Sequence, residues 1–290
     1  MLRSELSTAR YASRVSAILF SDFGDPAFAA EYARRRGGRT ERVAGRIVEL
    51  AGIGEGDRVV DLCCGPGLVS AQLVERVGAT GEVIGIDASP AMISLARAAA
   101  KDTNVRFLEG DAYTFSALLR QPVDHVVATS AWQNFLTDRE RVLDELARAL
   151  KPRGRFSFDV RLRSQGAAAA SSWREIAQTL SARWPQLALP EVSGGPARRP
   201  YTREALELDL ALITQRGFRL LHREEVEEPR DTSRSDQLGW RFEWWLARTA
   251  PTLSAQARVE ILSEFERARA PHQGAGAAKR STTYVVVEAG

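Results

Sequence analysis

Residues 59–70 read VVDLCCGPGLVS, and the fold follows from how that stretch is parsed. The apolar run 58–63, bounded by GEGD before it and GPG after it, has the make-up of a short buried strand. LVSAQLVERV, beginning at Leu68, has the make-up of a helix. Between the two, Gly65 and Gly67 can take backbone angles closed to other residues and let a ligand approach the main chain. Such a turn delivers its ligand to the N-terminus of the following helix. Asp61, at the strand end just before the turn, suits a cationic amine better than a phosphate. The dinucleotide fingerprint would need a third glycine where Ser70 stands, and the Gly-Lys-Ser/Thr of a phosphate-binding loop is absent. By itself a glycine pair could equally be a tight strand-to-helix connection.

The residues downstream decide between these readings. EVIGID (82–87) is a second strand ending on Asp87, about twenty residues past the glycines, where a carboxylate can bond ribose hydroxyls. Asp111 closes a third strand in LEGDAY. Single strand-end aspartates often do no more than cap the next helix. Three of them in step with a Gly-x-Gly turn argue for a ligand edge. Helix and strand go on alternating: SPAMISLARAAAK, with Ser89 as N-cap and Pro90 in the first turn; VDHVVATS (123–130); DRERVLDELARALK, with Val142, Leu146 and Ala149 inward and Pro152 and Gly154 as the stop; then RFSFDV. After two interruptions the pattern resumes in TREALELDLALITQRG and FRLLHREEV, and again in TTYVVVEA.

This alternation predicts an α/β fold with a seven-stranded, mostly parallel sheet and helices on both faces. The expected organisation is an N-terminal helical cap over 1–50, a core over 51–160, a lid insertion over 161–200, a core helix and strand over 201–227, a second lid insertion over 228–279 and a final core strand over 280–290. Insertions beside the carboxyl ends of strands are where lids sit.

The chain has 290 residues, 44% of them hydrophobic, and a formal charge of +3. No apolar run reaches the roughly eighteen residues of a membrane span, and the first twenty residues lack the apolar block of a secretory signal. Cys63 and Cys64 are adjacent, a poor basis for a disulfide framework, which favours a reducing cytoplasm. Arg34, Arg35, Arg36, Arg39, Arg42 and Arg46 cluster in the N-terminal region. They read as a solvated helix face with a turn at Gly37–Gly38. No aromatic residue is interleaved, so nucleic acid is disfavoured as a partner.

VVDLCCGPG, VIGIDAS, FLEGDA and ARALKPRGRFSF resemble the successive cofactor motifs of class I S-adenosylmethionine-dependent methyltransferases, firmly over 50–160 and more loosely over 200–226 and 280–290. The resemblance implies a last strand that runs antiparallel. It implies Asp61, Gly65 and Gly67 around the methionine part of S-adenosyl-L-methionine. Asp87 and Met92 would lie at ribose and adenine, Asp111 and Ala112 at the adenine edge, and Ser130 near the sulfonium. Cys63 stands where the family's motif has its first glycine.

The segment after the fourth strand, TSAWQNF, lacks the Asn/Asp-Pro-Pro-aromatic motif of nucleobase amino-methyltransferases, the Pro-Cys of RNA cytosine-C5 enzymes and the paired glutamates of protein-arginine enzymes. Asp138 and Asp159 are too few for a hard metal ion, so no metal is expected. A small, largely apolar acceptor remains, methylated on oxygen, nitrogen or carbon and met by Trp132, Gln133, Asn134 and the lid residue Trp244. The aromatic lid residues Trp173, Trp184, Trp240, Phe242, Trp244 and Trp245 serve either as the lid's own core or as a pocket wall. His125 and His222 read as structural. His272, placed in a loop before the last strand, is the candidate general base. A homodimer is compatible with the chain. The competing reading keeps the fold and the cofactor but turns them to cyclase or isomerase chemistry, or to a non-catalytic partner, in natural-product assembly.

Overall fold

The computed structural model describes residues 22–135, 138–163, 169–185, 187, 189, 201–227, 236–274 and 280–290. Two compact units emerge. One comprises Phe23–Leu162, Tyr201–Glu227 and Ser281–Gly290. The described part of the other is three helices, α5 (Ala169–Arg183), α7 (Asp236–Thr249) and α8 (Ala255–Gly274).

The first unit begins with α1 (Pro26–Ala51), whose N-cap Asp25 accepts the Phe28 N–H and whose C-cap Gly52 takes a left-handed φ of 68°. Then follow β1 (Arg58–Leu62), α2 (Leu68–Val77), β2 (Glu82–Asp87), α3 (Pro90–Ala99), β3 (Val105–Glu109), β4 (Val123–Ala128), α4 (Arg139–Ala149), β5 (Leu150–Arg163), α6 (Arg203–Gln215), β6 (Phe218–Glu227) and β7 (Arg280–Ala289). These form one seven-stranded sheet in the order β3-β2-β1-β4-β5-β7-β6. The β3-β2-β1-β4-β5 ladder is parallel and β7 runs antiparallel to β6. The expected α/β architecture is therefore the observed one.

Local chemistry explains the boundaries. Ser89 caps α3 by accepting the Met92 N–H at 3.1 Å, and Pro90 occupies the first turn where an N–H is not needed. Val142, Leu146 and Ala149 are buried, as the helical spacing of α4 requires. The sheet carries a core on each face. Val60, Leu62, Phe156, Phe158, Val285 and Val287 point to the side of α4 and α6. Val59, Val83 and Val127 meet Val43, Ile47 and Leu73 of α1 and α2 on the other.

One expectation is corrected. α1 runs unbroken through Gly37–Gly38 instead of turning there. Mid-helix glycines cost about 1 kcal/mol each, but the helix is capped at both ends and buries Phe28, Ala29, Val43, Ala44, Ile47 and Ala51, and this packing outweighs that cost. Of the cap drawn over 1–50, the described residues from Phe23 onward belong to the sheet unit. Within the arginine cluster of α1, Arg34 and Arg35 pair with Glu31, and Arg46 with Glu49 and Glu224.

In the second unit, Phe242, Leu246, Ile176, Leu180, Trp184, Ile261 and Phe265 form a core of their own, with Phe242 and Phe265 stacked at 4.2 Å. Trp184 and Phe242 thus serve as core, and the side chain of Trp173 lies outside the described residues. No described helix is long and apolar enough to cross a membrane.

Gly85 on β2 has no room for a side chain, since a Cβ there would run into the Phe107 ring. Gly85→Ala is expected to lower stability by about 1–3 kcal/mol through overpacking. A urea midpoint equal to that of the unaltered protein would show that the ring yields freely.

Candidate functional site

The carboxyl ends of β1, β2 and β3 bring the three predicted aspartates together. Asp61 lies opposite Gly85, Asp87 closes β2 opposite Glu109, and the Gly110 N–H bonds the Asp87 carbonyl just before Asp111. All three carboxylates act on the thiol of Cys63, which burial first, and then they, push well above its ordinary range.

The turn from β1 to α2 is built from left-handed residues: Cys63 at φ 61°, Gly65 at 54° and Gly67 at 84°. Cys63 thus takes, with a side chain, the conformation for which glycine is preferred, which costs roughly 1–2 kcal/mol. The Gly65 N–H donates to Asp87 Oδ2 at 2.9 Å, and the Ser89 N–H donates to Oδ1 at 2.9 Å. The Ala88 N–H adds a further backbone donor, and the carboxylate's remaining lone-pair capacity is left for a ligand hydroxyl.

The two glycines do different work. A Cβ on Gly65 would meet nothing within 4 Å, so the space before it is open. A Cβ on Gly67 would press on Phe107 and Ala96 at 3.1–3.3 Å, so this glycine serves packing of the turn against β3 and α3. Met92 is buried beside Ala29 and Ala91, with Phe23 and Tyr32 packed on the same cluster. Ala112 is buried, and Asp111 accepts the Tyr113 N–H at 3.0 Å.

Asp61 is 1% exposed and accepts a 2.6 Å bond from the Ser70 hydroxyl. Burial pushes its carboxyl up to about 7, with Asp87 adding to the rise and Ser70 opposing it. Burial likewise raises Asp87 against its backbone donors. Ser70, which broke the dinucleotide pattern, is thus the partner of Asp61.

On the β4 side, Ser130 takes a left-handed φ of 57°, and its N–H donates to the buried Asp159 at 2.5 Å. Gln133 Oε1 accepts the Arg161 N–H at 3.2 Å. The side chain of Asn134 lies outside the described residues. Trp132 is 0% exposed, packed against Phe135, Phe156 and Phe158, and its indole N–H donates to Asp209 at 2.8 Å. The ring expected to face an acceptor is therefore in the core of the sheet unit.

Trp244 lies on α7 of the second unit, with the Arg248 guanidinium 5.0 Å from its ring centre. His272 falls within α8 instead of a loop, because the helix continues to Gly274; its side chain lies outside the described residues. His125 is buried at the start of β4 and bonds Asp57 at 3.1 Å, far along the strand from the turn. Among the described residues no three His, Cys, Asp or Glu side chains group to hold a metal ion.

Sequence reasoning missed Asp159 and Asp209 as site residues, although both left a trace. Asp209 interrupts the buried face set by Leu206 and Ile213, and Asp159 falls on the alternate side of Phe156 and Phe158.

This sheet order, with a glycine turn and three strand-end carboxylates on its carboxyl edge, defines the class I methyltransferase fold. Residues 59–154 match the family described as methyltransferase domain. The chain is 33% identical over 121 residues to the chloroplastic 2-phytyl-1,4-beta-naphthoquinone methyltransferase of Arabidopsis thaliana, covering 38% of this chain and 44% of that protein. The chain thus spans less than half the length of that relative. In fold it is similar to Haemonchus contortus phosphoethanolamine N-methyltransferase 2 in complex with S-adenosyl-L-methionine, with a TM-score of 0.56, 16% identity and coverage of 93% of this chain and 60% of the other. It is also similar to the [4+2]-cyclase SpnF, with a TM-score of 0.52, 18% identity and coverage of 86% and 81%.

The glycines give a direct test. Gly65→Ala should leave the fold standing, apart from the strain of a left-handed alanine, and weaken ligand binding at the turn. Gly67→Ala should lower the melting temperature first. Calorimetry and thermal melts on both variants separate these outcomes; a Gly65→Ala protein with full cofactor affinity would place the ligand elsewhere.

Asp61 supplies a pH test. Its raised folded-state pKa means that its contribution to stability is fully present below the ordinary carboxylate range and is lost as pH rises through about 7. Ligand-free protein should therefore lose stability across that window, and Asp61→Asn should flatten the loss. A cationic amine beside Asp61 favours the ionised form, so cofactor binding should release a proton near neutral pH. Calorimetry in buffers of different ionisation heat would detect it.

Proposed function

We propose that the chain transfers a methyl group from S-adenosylmethionine to a small-molecule acceptor. The observation that carries this reading is the trio Asp61, Asp87 and Asp111 around an open-fronted Gly65. Asp61 offers a buried carboxylate to an ammonium. Asp87, already fixed by backbone donors, offers its remaining lone pairs to vicinal hydroxyls, and Met92, Asp111 and Ala112 bound the base. The donor supplies an electrophilic methyl on sulfur. The chain's own part is to bind the donor's ends, orient the acceptor and exclude water, and such positioning can supply about 7–11 kcal/mol.

The acceptor is read as a small, largely apolar molecule attacked through oxygen, nitrogen or carbon. Gln133 and Asn134, on the turn after β4, are the residues read as orienting it. The name of the Arabidopsis relative makes alkylated naphthoquinols a reasoned first panel, although the likeness is confined to about two fifths of this chain. The two free thiols fit a cytoplasmic setting. The fold also houses a [4+2]-cyclase, which favours keeping a cyclisation reading as the second alternative.

Turnover separates the two. Methyl transfer releases S-adenosylhomocysteine with an acceptor from the panel, whereas the cyclase reading predicts tight cofactor binding without release. We expect micromolar affinity for S-adenosylmethionine and little for NAD. Asp87→Ala should weaken binding by about 1–3 kcal/mol, the range for leaving buried polar partners unpaired. Unchanged affinity by calorimetry would remove Asp87 from the site.

A further inference from the structure

We propose that Asp209 is a positioning residue for the turn after β4, holding Trp132 and through it the segment 129–135 in the conformation that methyl transfer requires. The inference rests on the methyltransferase reading and extends it to residues outside the matched segment.

Asp209 is 4% exposed on the inward face of α6, in line with Leu206 and Ile213. Its Oδ2 accepts the Trp132 indole N–H at 2.8 Å, accepts the Tyr201 hydroxyl, and pairs with Arg139 Nε at 3.0 Å. The Arg139 guanidinium lies 5.9 Å from the Trp132 ring centre and 5.5 Å from that of Tyr201. Three side chains, from the β4 turn, the start of α4 and the residue before the α6 N-cap, thus converge on the one carboxylate that α6 supplies.

Stability alone does not account for this cluster. The surroundings are apolar, and replacing a buried ion pair by well-packed hydrophobic residues is often neutral or stabilising. Trp132 already packs on Phe135, Phe156 and Phe158 without any help from a charge. The carboxylate adds direction, because a hydrogen bond to the indole N–H fixes how the ring is turned within that stack. Two residues earlier Ser130 sits at positive φ with its N–H on Asp159, and one residue later Gln133 accepts from the Arg161 N–H. The turn is held at three points by β5 and α6, and Asp209 supplies the hold in the middle. Trp132 thereby acts as a spacer between the core and the turn.

The test uses the full chain and the variants Trp132→Phe, Asp209→Leu and Asp209→Asn. Trp132→Phe keeps a ring but removes the N–H, and Asp209→Asn keeps an acceptor oxygen. Hydrogen exchange should quicken at least tenfold in 129–135 for Trp132→Phe and Asp209→Leu, with the β1–α2 turn and α3 unchanged. The ratio of S-adenosylmethionine to S-adenosylhomocysteine affinity should shift at least threefold in the same variants, because the two ligands differ at the methyl and the proposal sets this turn beside it. Asp209→Asn should restore both readouts to within twofold of the unaltered protein. Exchange that rises equally throughout the sheet unit, or not at all, overturns the proposal, and so does an unchanged affinity ratio. An unaltered protein that binds neither ligand sinks the methyltransferase reading instead; the exchange pattern, which needs no ligand, then decides whether Asp209 holds the turn.

Discussion

The ring of Phe107 occupies space that Gly85 and Gly67 leave empty, and the placement of the binding turn follows from that contact. A side chain at either position would push the ring out, and with it the packing of β3 and α3, where Ile93 and Ala96 close on Phe107 and Cys64. With Phe107 seated, Gly67 caps α2 in a left-handed conformation with no side-chain cap bond, and the first amides of a helix lack intrahelical partners. The Gly65 N–H then reaches Asp87, which ties the turn to the neighbouring strand. Each later feature of the donor side hangs on this chain of contacts. Asp61 sits beneath the turn, Asp87 beside it, and Asp111 follows from the Gly110 N–H on the Asp87 carbonyl.

The arrangement is electrostatically costly when empty. Asp61 and Asp87 are buried near each other, burial raises both, and their fields reach the thiol of Cys63. A fold selected for stability alone would avoid placing carboxylates there, since burying a charge without a partner is unfavourable. The unfavourable charge becomes useful when a ligand brings a cation and hydrogen-bond donors. Such a field suits the amine and ribose of the proposed donor, and a phosphate-rich ligand would meet the wrong sign of field.

The donor side was legible in the sequence because its determinants are local. A glycine turn, the caps of α2 and α3 and the strand-end aspartates each depend on residues a few positions apart, and pattern rules describe such spacing well. The unbroken α1 was not legible: Gly37–Gly38 read as a turn because the burial of Val43, Ile47 and Ala51 against the sheet, which outweighs the local preference, is a tertiary fact. Trp132 misled for the same reason. An aromatic residue just past a strand end has the look of a pocket wall, and nothing nearby in sequence announces that its N–H will be taken by a residue 77 positions away. His272 was drawn in a loop because HQGAGAAK is rich in glycine and alanine, yet α8 continues through it to Gly274.

This asymmetry bears on what relatives can teach about the acceptor. The segment that matches the methyltransferase-domain family ends at residue 154, whereas Asp159, Arg161, Tyr201 and Asp209 come from later parts of the chain. The donor turn is made within the matched segment, and the turn after β4 lies within it too, but the residues that hold that second turn do not. A relative can therefore share every donor motif and still set residues 129–135 differently, through other partners on β5 and α6. Likeness over 59–154 therefore bears on the proposed donor side more than on the acceptor. Under the proposed function, the side chains that set how Gln133 and Asn134 meet an acceptor are to be sought from residue 155 onward, beginning with those already buried against the turn.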